Sequence, residues 1–270
     1  MSLIYKPSGA ALEYAPWALN PWDGCPHGCL YCYVPETRRM DRAGFHMDPK
    51  PRKVVLDALR TGALKREAEA HAKAYPGQPV LLSFSSDPYQ PREMAEQLTR
   101  RCLEVLIASG CTVAVLTKAG TLARRDFDLL ASRPGNWFGV TLTTDSEALA
   151  ERWEPNAAPP AVRIENLEAA RDAGISTWVS LEPTIYHEDG LRLIKSLWRV
   201  ALHLAVGKLN RWSLSQVRAV DPTAKPVNWP AFRTEAMALL EGQGYTEVDE
   251  NLPDVGVHTY YVKQSLREAA

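Results

Sequence analysis

Three cysteines near the N-terminus constrain this chain more than any other feature. Asn20-Pro21-Trp22-Asp23-Gly24-Cys25-Pro26-His27-Gly28-Cys29-Leu30-Tyr31-Cys32-Tyr33 spaces them as C-x3-C-x2-C. Thiols this close together on a loop with Gly and Pro form a metal-ligand pattern, whereas the even cysteine framework of a small secreted scaffold forms disulfides. Structural zinc wants four ligands and usually draws them from two separated pairs. No second pair follows here: Cys102 lies in a helical pattern and Cys111 in a strand pattern, and both read as core. His27 is the candidate fourth ligand of a zinc site, and that arrangement stays open as the alternative. The leading expectation is an iron–sulfur cluster, which is held by closely spaced thiolates. Three thiolates on a four-iron cubane leave one iron open, and an open position is what makes a metal site catalytic.

With 270 residues, 46% apolar and 23% charged, the chain has the make-up of an ordinary globular protein with a substantial core. Its formal net charge of −1 lacks the global basic character of a sequence-tolerant nucleic-acid binder, although local patches can do that work. One such patch is the stretch 36–53, with Arg38, Arg39, Arg42, Lys50, Arg52 and Lys53 against Asp41 and Asp48. It reads either as a solvated face or as a phosphate-contacting rim beside the cysteines. No run of about 18 apolar residues occurs, and residues 1–6 lack the apolar core of a signal peptide. Together with the clustered thiols this predicts a cytoplasmic protein.

From Val54 the pattern alternates between helix and strand. A helix over 54–74 ends at Pro76-Gly77. The run Val80-Leu81-Leu82-Ser83-Phe84 suits a buried parallel strand. A helix from Pro91 to Gly110 presents Met94, Leu98, Cys102, Val105 and Leu106 on one face. Strand 111–116, helix 123–132 and strand 137–142 follow, then a helix opened by a capping box of Thr144 and Glu147. Helix 160–173, strand 175–181, helix 189–199 and strand 201–206 complete the series. Beyond Asn210 only a helix over 230–243 is clear, ahead of a tail carrying Tyr260-Tyr261-Val262-Lys263. With a first strand leading into the cysteine loop there are about six βα units, which demand a parallel sheet. Six are too few for a closed eight-stranded barrel, and periodicity leaves an open barrel and a doubly wound sheet both standing. The division expected is an arm over 1–19, a barrel over 20–210 and a C-terminal extension over 211–270.

The polar candidates fall where parallel barrels gather reactive groups, at the ends of successive strands. Cys25, Cys29 and Cys32 follow the first strand, Ser85, Ser86 and Asp87 the second, and Thr117 and Lys118 the third. Thr141 and Thr143 close the fourth, and Glu182 the fifth.

The cysteine spacing, with an aromatic residue (Tyr31) before the third cysteine, resembles the signature of radical S-adenosylmethionine (SAM) enzymes. Four further stretches, Ser85-Ser86-Asp87-Pro88-Tyr89-Gln90-Pro91, Leu98-Thr99-Arg100, Leu116-Thr117-Lys118 and Arg125-Asp126-Phe127-Asp128-Leu129-Leu130, resemble the branch related to spore photoproduct lyase, also called DNA-repair-photolyase-like. The resemblance runs from about Asn20 to about Asn210. It implies an α/β fold of open (β/α)6 partial TIM barrel type. It also implies a [4Fe–4S] cluster on Cys25, Cys29 and Cys32, with S-adenosylmethionine on the open iron. Lys118 would face the cofactor's carboxylate, and Ser86 or Asp87 its ammonium. Thr141 or Thr143 would hold its ribose, and the backbone of Tyr31 to Tyr33 its adenine. A 5′-deoxyadenosyl radical would then abstract hydrogen from a substrate, with an electron donor such as flavodoxin or ferredoxin as partner. Glu182 would hold ribose hydroxyls or face the substrate, or else pair with a basic residue across the barrel mouth.

The resemblance favours a nucleic-acid base as substrate, with Tyr89, Trp137, Trp153 and Trp212 as stacking platforms. A peptide or small metabolite stays open. One departure matters: spore photoproduct lyase is known for a hydrogen-returning cysteine beside its Ser-Asp segment. Here that segment reads Leu82-Ser83-Phe84-Ser85-Ser86-Asp87, and no cysteine follows Cys111. Either a tyrosine (Tyr89, Tyr260 or Tyr261) takes the role, or the reaction differs and consumes one S-adenosylmethionine per turnover. The second is the expectation.

Overall fold

The computed structural model describes residues 2–249, 252 and 257–269. Its frame is one parallel sheet of β1 (Trp17–Ala18), β2 (Pro79–Leu82), β3 (Thr112–Thr117), β4 (Trp137–Thr141), β5 (Ser176–Thr184), β6 (His203–Lys208), β7 (Thr246–Glu247) and β8 (Thr259–Val262). The strands are hydrogen-bonded in the order β1-β2-β3-β4-β5-β6-β8-β7, every pair parallel. Six successive strands therefore lie beside their sequence neighbours without reversal. A doubly wound sheet would reverse order about its first strand, so the winding is that of a barrel, left open at β1 and β7.

Side-chain alternation sorts the sheet into two faces. Val80, Leu82, Val113, Val115, Phe138, Val140, Val179, Leu181, Leu204 and Val206 pack with the helices in the main core. The helices are α1 (Lys53–Thr61), α2 (Ala63–Ala74), α3 (Leu98–Ala108), α4 (Phe127–Ala131), α5 (Glu147–Trp153), α6 (Pro160–Asp172), α7 (His187–Leu197), α8 (Leu214–Val220) and α9 (Trp229–Gly242), with a few shorter turns between them. Leu81, Ala114, Trp137 and Trp178 belong to a second cluster on the other face, with Ala15 and Tyr14 from the N-terminal segment. Trp178 lies so close over Gly139 that a Cβ there would sit 2.2 Å from its indole nitrogen. Tyr14 and Trp178, ring centroids 6.1 Å apart, fill the interior of the half-barrel.

Several elements differ from the sequence reading for local reasons. The stretch 54–74 is two helices, because Gly62 turns left-handed at φ 69°. The expected helix from Pro91 breaks at Gln97 (φ 48°), so Met94 is exposed while Glu93 is buried, accepting from Thr99 N (2.9 Å) and paired with Arg125 (2.9 Å). Ser146, rather than Thr144, caps α5 by accepting from Leu149 N; the Thr144 hydroxyl goes to Asp189. The chain over 121–126 is a 3-10 turn leading into α4. The stretch 36–53 folds as two short helices and a strand, Lys50–Pro51, paired antiparallel with Trp22–Asp23. Its cations are mostly spent on neighbours: Arg38 on Asp23, Arg42 on Glu36, and Lys50 on Asp48. The largest difference is at the C-terminus. Tyr260-Tyr261-Val262 is not a packed tail but part of β8, inserted between β6 and β7 and buried.

Candidate active site

A cavity of about 750 Å³ opens at the carboxyl ends of the strands, within the roughly 300–1,000 Å³ of small-molecule and cofactor sites. All three clustered cysteines line it. Their loop is held open by its neighbours. Gly24 (φ 85°) lies against Phe45 O, where a Cβ would come within 2.7 Å. Cys25 N donates to Phe45 O (3.1 Å), and Leu30 N to Trp153 O (2.9 Å). Arg42 donates to Cys32 O (2.7 Å) and Asn156 to Pro26 O (3.0 Å). No disulfide joins the thiols. Burial pushes all three up, Cys29 to about 12, with Lys118 only partly offsetting it. A donor set of this kind becomes thiolate when a metal supplies the missing positive charge, so these residues fit an iron–sulfur cluster.

Asp87 ties three loops together. It accepts from Tyr89 N (2.8 Å) and Thr117 Oγ1 (2.7 Å) on one oxygen, and from Lys118 N (2.7 Å) on the other, which also faces His27 Nε2 at 3.4 Å. Burial raises this carboxyl, but His27, Lys118 N and the Thr117 hydroxyl prevail and hold it at about 2. Asp87 is therefore a strut between the cysteine loop, β2 and β3. Ser86 does line the cavity.

A second strut was not read from the sequence. The Tyr31 phenol donates to Glu154, which pairs with Arg163 at 2.6 Å; both charged residues are buried. Arg163 also donates to Thr141 O (2.9 Å) and Ala158 O (2.7 Å), which joins the cysteine loop to the end of β4. Burial raises the Glu154 carboxyl, and Arg163 with Lys118 more than reverses this. In the sequence Glu154, just past the end of α5, is indistinguishable from Glu151, an exposed residue on that helix, and only a residue contact reveals it. Lys118 lines the cavity with its Nζ 5.7 Å from the Tyr31 ring centroid. Among the described residues it makes no ion pair.

Across the cavity Glu182 pairs with Lys263 (2.8 Å), accepts from the Tyr14 phenol and stands against Gly207. Lys263 is 1% exposed, donates to Ala10 O (3.1 Å) and lies 3.6 Å from the Tyr14 ring centroid. Of the three roles foreseen for Glu182, the pairing with a basic residue is seen, and Glu182 also lines the cavity. Tyr31, Tyr33 and Thr141 line the cavity as expected. Tyr89 and Thr143 do not: Tyr89 is packed in the main core, and Thr143 is buried off the lining.

The radical SAM superfamily profile matches residues 19–192, well over half of the chain. The chain belongs to the radical SAM superfamily. Members of that superfamily use S-adenosylmethionine and an iron–sulfur cluster. An uncharacterized protein of Mycobacterium tuberculosis is 29% identical to it over 208 residues, covering 74% of this chain and 59% of that protein. The chain thus spans about three fifths of the length of that relative. Among solved structures, spore photoproduct lyase complexed with dinucleoside spore photoproduct superposes with a TM-score of 0.61 at 15% identity, covering 92% of this chain and 76% of that one. Streptococcus suis SuiB bound to precursor peptide SuiA gives 0.60 at 11%, covering 93% and 49%. At these identities the likeness is one of fold: a curled half-barrel of the radical SAM type. No helix among the described residues is long and apolar enough to cross a membrane.

Proposed function

We propose that this radical SAM enzyme holds a [4Fe–4S] cluster on Cys25, Cys29 and Cys32 and abstracts hydrogen from a nucleic-acid base. The observation that carries the reading is the presence of three unpaired thiols on the wall of one strand-end cavity. When bound, the cluster and S-adenosylmethionine supply one-electron cleavage to a 5′-deoxyadenosyl radical. The chain's own part is to orient and to exclude water. Lys118 brings a point charge for the cofactor's carboxylate, Ser86 a hydroxyl for its ammonium, Thr141 a hydroxyl for its ribose, and Tyr31 with Tyr33 the ground for its adenine. The electron donor in this reading is a flavodoxin or ferredoxin, and the setting is the cytoplasm.

The zinc alternative loses support from the geometry. His27, the fourth ligand that reading needs, has its Nε2 turned to Asp87 at 3.4 Å. Of the stacking platforms, Tyr89, Trp137 and Trp153 are buried, which leaves half-buried Trp212. None of Tyr89, Tyr260 and Tyr261 lines the cavity; the last two donate to Glu241 (3.0 Å) and Glu13 (3.1 Å). This supports consumption of one S-adenosylmethionine per turnover. The test is anaerobic incubation of reduced, reconstituted protein with deuterium-labelled oligonucleotide or peptide, followed by mass spectrometry of 5′-deoxyadenosine. Deuterium arriving from the oligonucleotide is expected. Transfer from the peptide alone would overturn the substrate class, and no 5′-deoxyadenosine at all would overturn the whole reading.

A further inference from the structure

Six charged side chains line the cavity besides its thiols and His27: the carboxylates Asp87 and Glu182 and the cations Lys118, Lys208, Arg211 and Lys263. Both carboxylates are engaged, Asp87 by His27 and three donors, Glu182 by Lys263 and Tyr14. That leaves three cations with no ion pair among the described residues. Lys118 stands on the cysteine side, over Tyr31. Lys208 ends β6, and Arg211 stands on the turn that follows it.

The turn is fixed on both sides. Leu209 N donates to Thr184 O (2.9 Å), and the Asn210 amide to Lys208 O and Ser265 Oγ (3.2 Å each). Trp212, the next residue, packs edge-on against buried Trp153 with ring centroids 5.1 Å apart. Arg211 itself is held at φ 63°, a left-handed backbone that a side-chain-bearing residue rarely adopts. Two cations at a pinned turn, facing a cavity whose carboxylates are already satisfied, create a local positive potential that the chain's net charge conceals.

We propose that Lys208 and Arg211 bind a phosphate ester of the substrate, so that the reacting part lies deeper in the cavity, towards the cysteines. A single carboxylate needs only one Arg fork, whereas a phosphate offers oxygens to both a fork and a point charge. The assignment rests on the cavity being shared by cofactor and substrate, and it deepens the reading of a nucleic-acid substrate. A phosphomonoester metabolite and a phosphodiester strand share this chemistry, and the test separates them.

The test is calorimetric titration of the full chain with thymidine 5′-monophosphate and with single-stranded decathymidylate, without reductant. It needs no turnover, so failure of the radical chemistry and failure of this assignment read out separately. Wild type should bind at least one probe, the monophosphate if the substrate is a metabolite, the oligonucleotide alone if it is a strand. Lys208→Ala and Arg211→Asn should each weaken that binding roughly tenfold. For the strand, each should also flatten the dependence of log affinity on log salt by about 0.7. Asn tolerates the left-handed backbone, so a weakened Arg211→Asn does not report misfolding. Arg199→Ala, at the opposite end of the strands, is the control. The assignment is overturned if wild type binds neither probe, if both variants bind as tightly as wild type, or if Arg211→Asn weakens S-adenosylmethionine instead.

Discussion

The two walls of the cavity are built in opposite ways. The cysteine wall comes from one stretch of chain, residues 25–163, and its buried charges are closed among themselves: Asp87 with His27, Glu154 with Arg163 and Tyr31. The far wall joins both ends of the sequence, Tyr14 from before β1 with Glu182 on β5 and Lys263 after β8, and leaves Lys208 and Arg211 open. The difference separates holding from selecting. Buried pairs position the cysteine loop, and the cations without an ion pair, Lys118 on that side and Lys208 with Arg211 on the far one, are available to a ligand.

This contrast can be broken by substitution. The largest effect falls on the thiols: Cys25→Ala, Cys29→Ala or Cys32→Ala should each reduce 5′-deoxyadenosine formation to background, while Cys102→Ala, in the core, costs only about 1 kcal/mol in urea unfolding. Next is Arg163→Ala, which strands a buried Glu154 carboxylate and should cost about 3–5 kcal/mol of stability. Glu154→Gln with Arg163→Met should recover most of that loss, because no charge is left unpaired. Lys263→Met should cost less, about 2 kcal/mol, since Glu182 keeps the Tyr14 phenol and keeps contact with the cavity. If Lys263→Met proves as costly as Arg163→Ala, the two walls are alike and the contrast fails. Lys118→Ala should leave unfolding unchanged and weaken S-adenosylmethionine by about 1.5–3 kcal/mol in equilibrium dialysis. Unchanged affinity would remove Lys118 from the cofactor side.

The same contrast decides what was legible in the sequence. The cysteine wall is local: its ligands sit within eight positions, and the runs at Val80 to Leu82 and Thr112 to Leu116 announce buried parallel strands whose ends carry the polar groups. Periodicity locates a strand end, but it does not say which way a side chain there turns, and Thr143 lies off the cavity lining while Thr141 is on it. The hydrogen bonds from Tyr89 N and Lys118 N to Asp87 likewise leave no trace in residue type. The far wall is assembled from residues about 250 positions apart. Nothing local marks Lys263 as buried: it follows a three-residue apolar run, Tyr260 to Val262, after a Pro- and Gly-containing stretch, too short to announce β8. Backbone breaks at Gly62 and Gln97 were likewise invisible, since a helical pattern continues through both.

The central claim is that the three cysteines of residues 25–32 hold a redox cluster that cleaves S-adenosylmethionine. It is tested most directly by anaerobic reconstitution of the wild-type chain with iron and sulfide, followed by metal analysis, absorption and 5′-deoxyadenosine assay on one sample. The account predicts brown protein containing iron and sulfide in equal amounts, with 5′-deoxyadenosine formed on reduction. Colourless protein that retains one zinc per chain and leaves S-adenosylmethionine intact would contradict it.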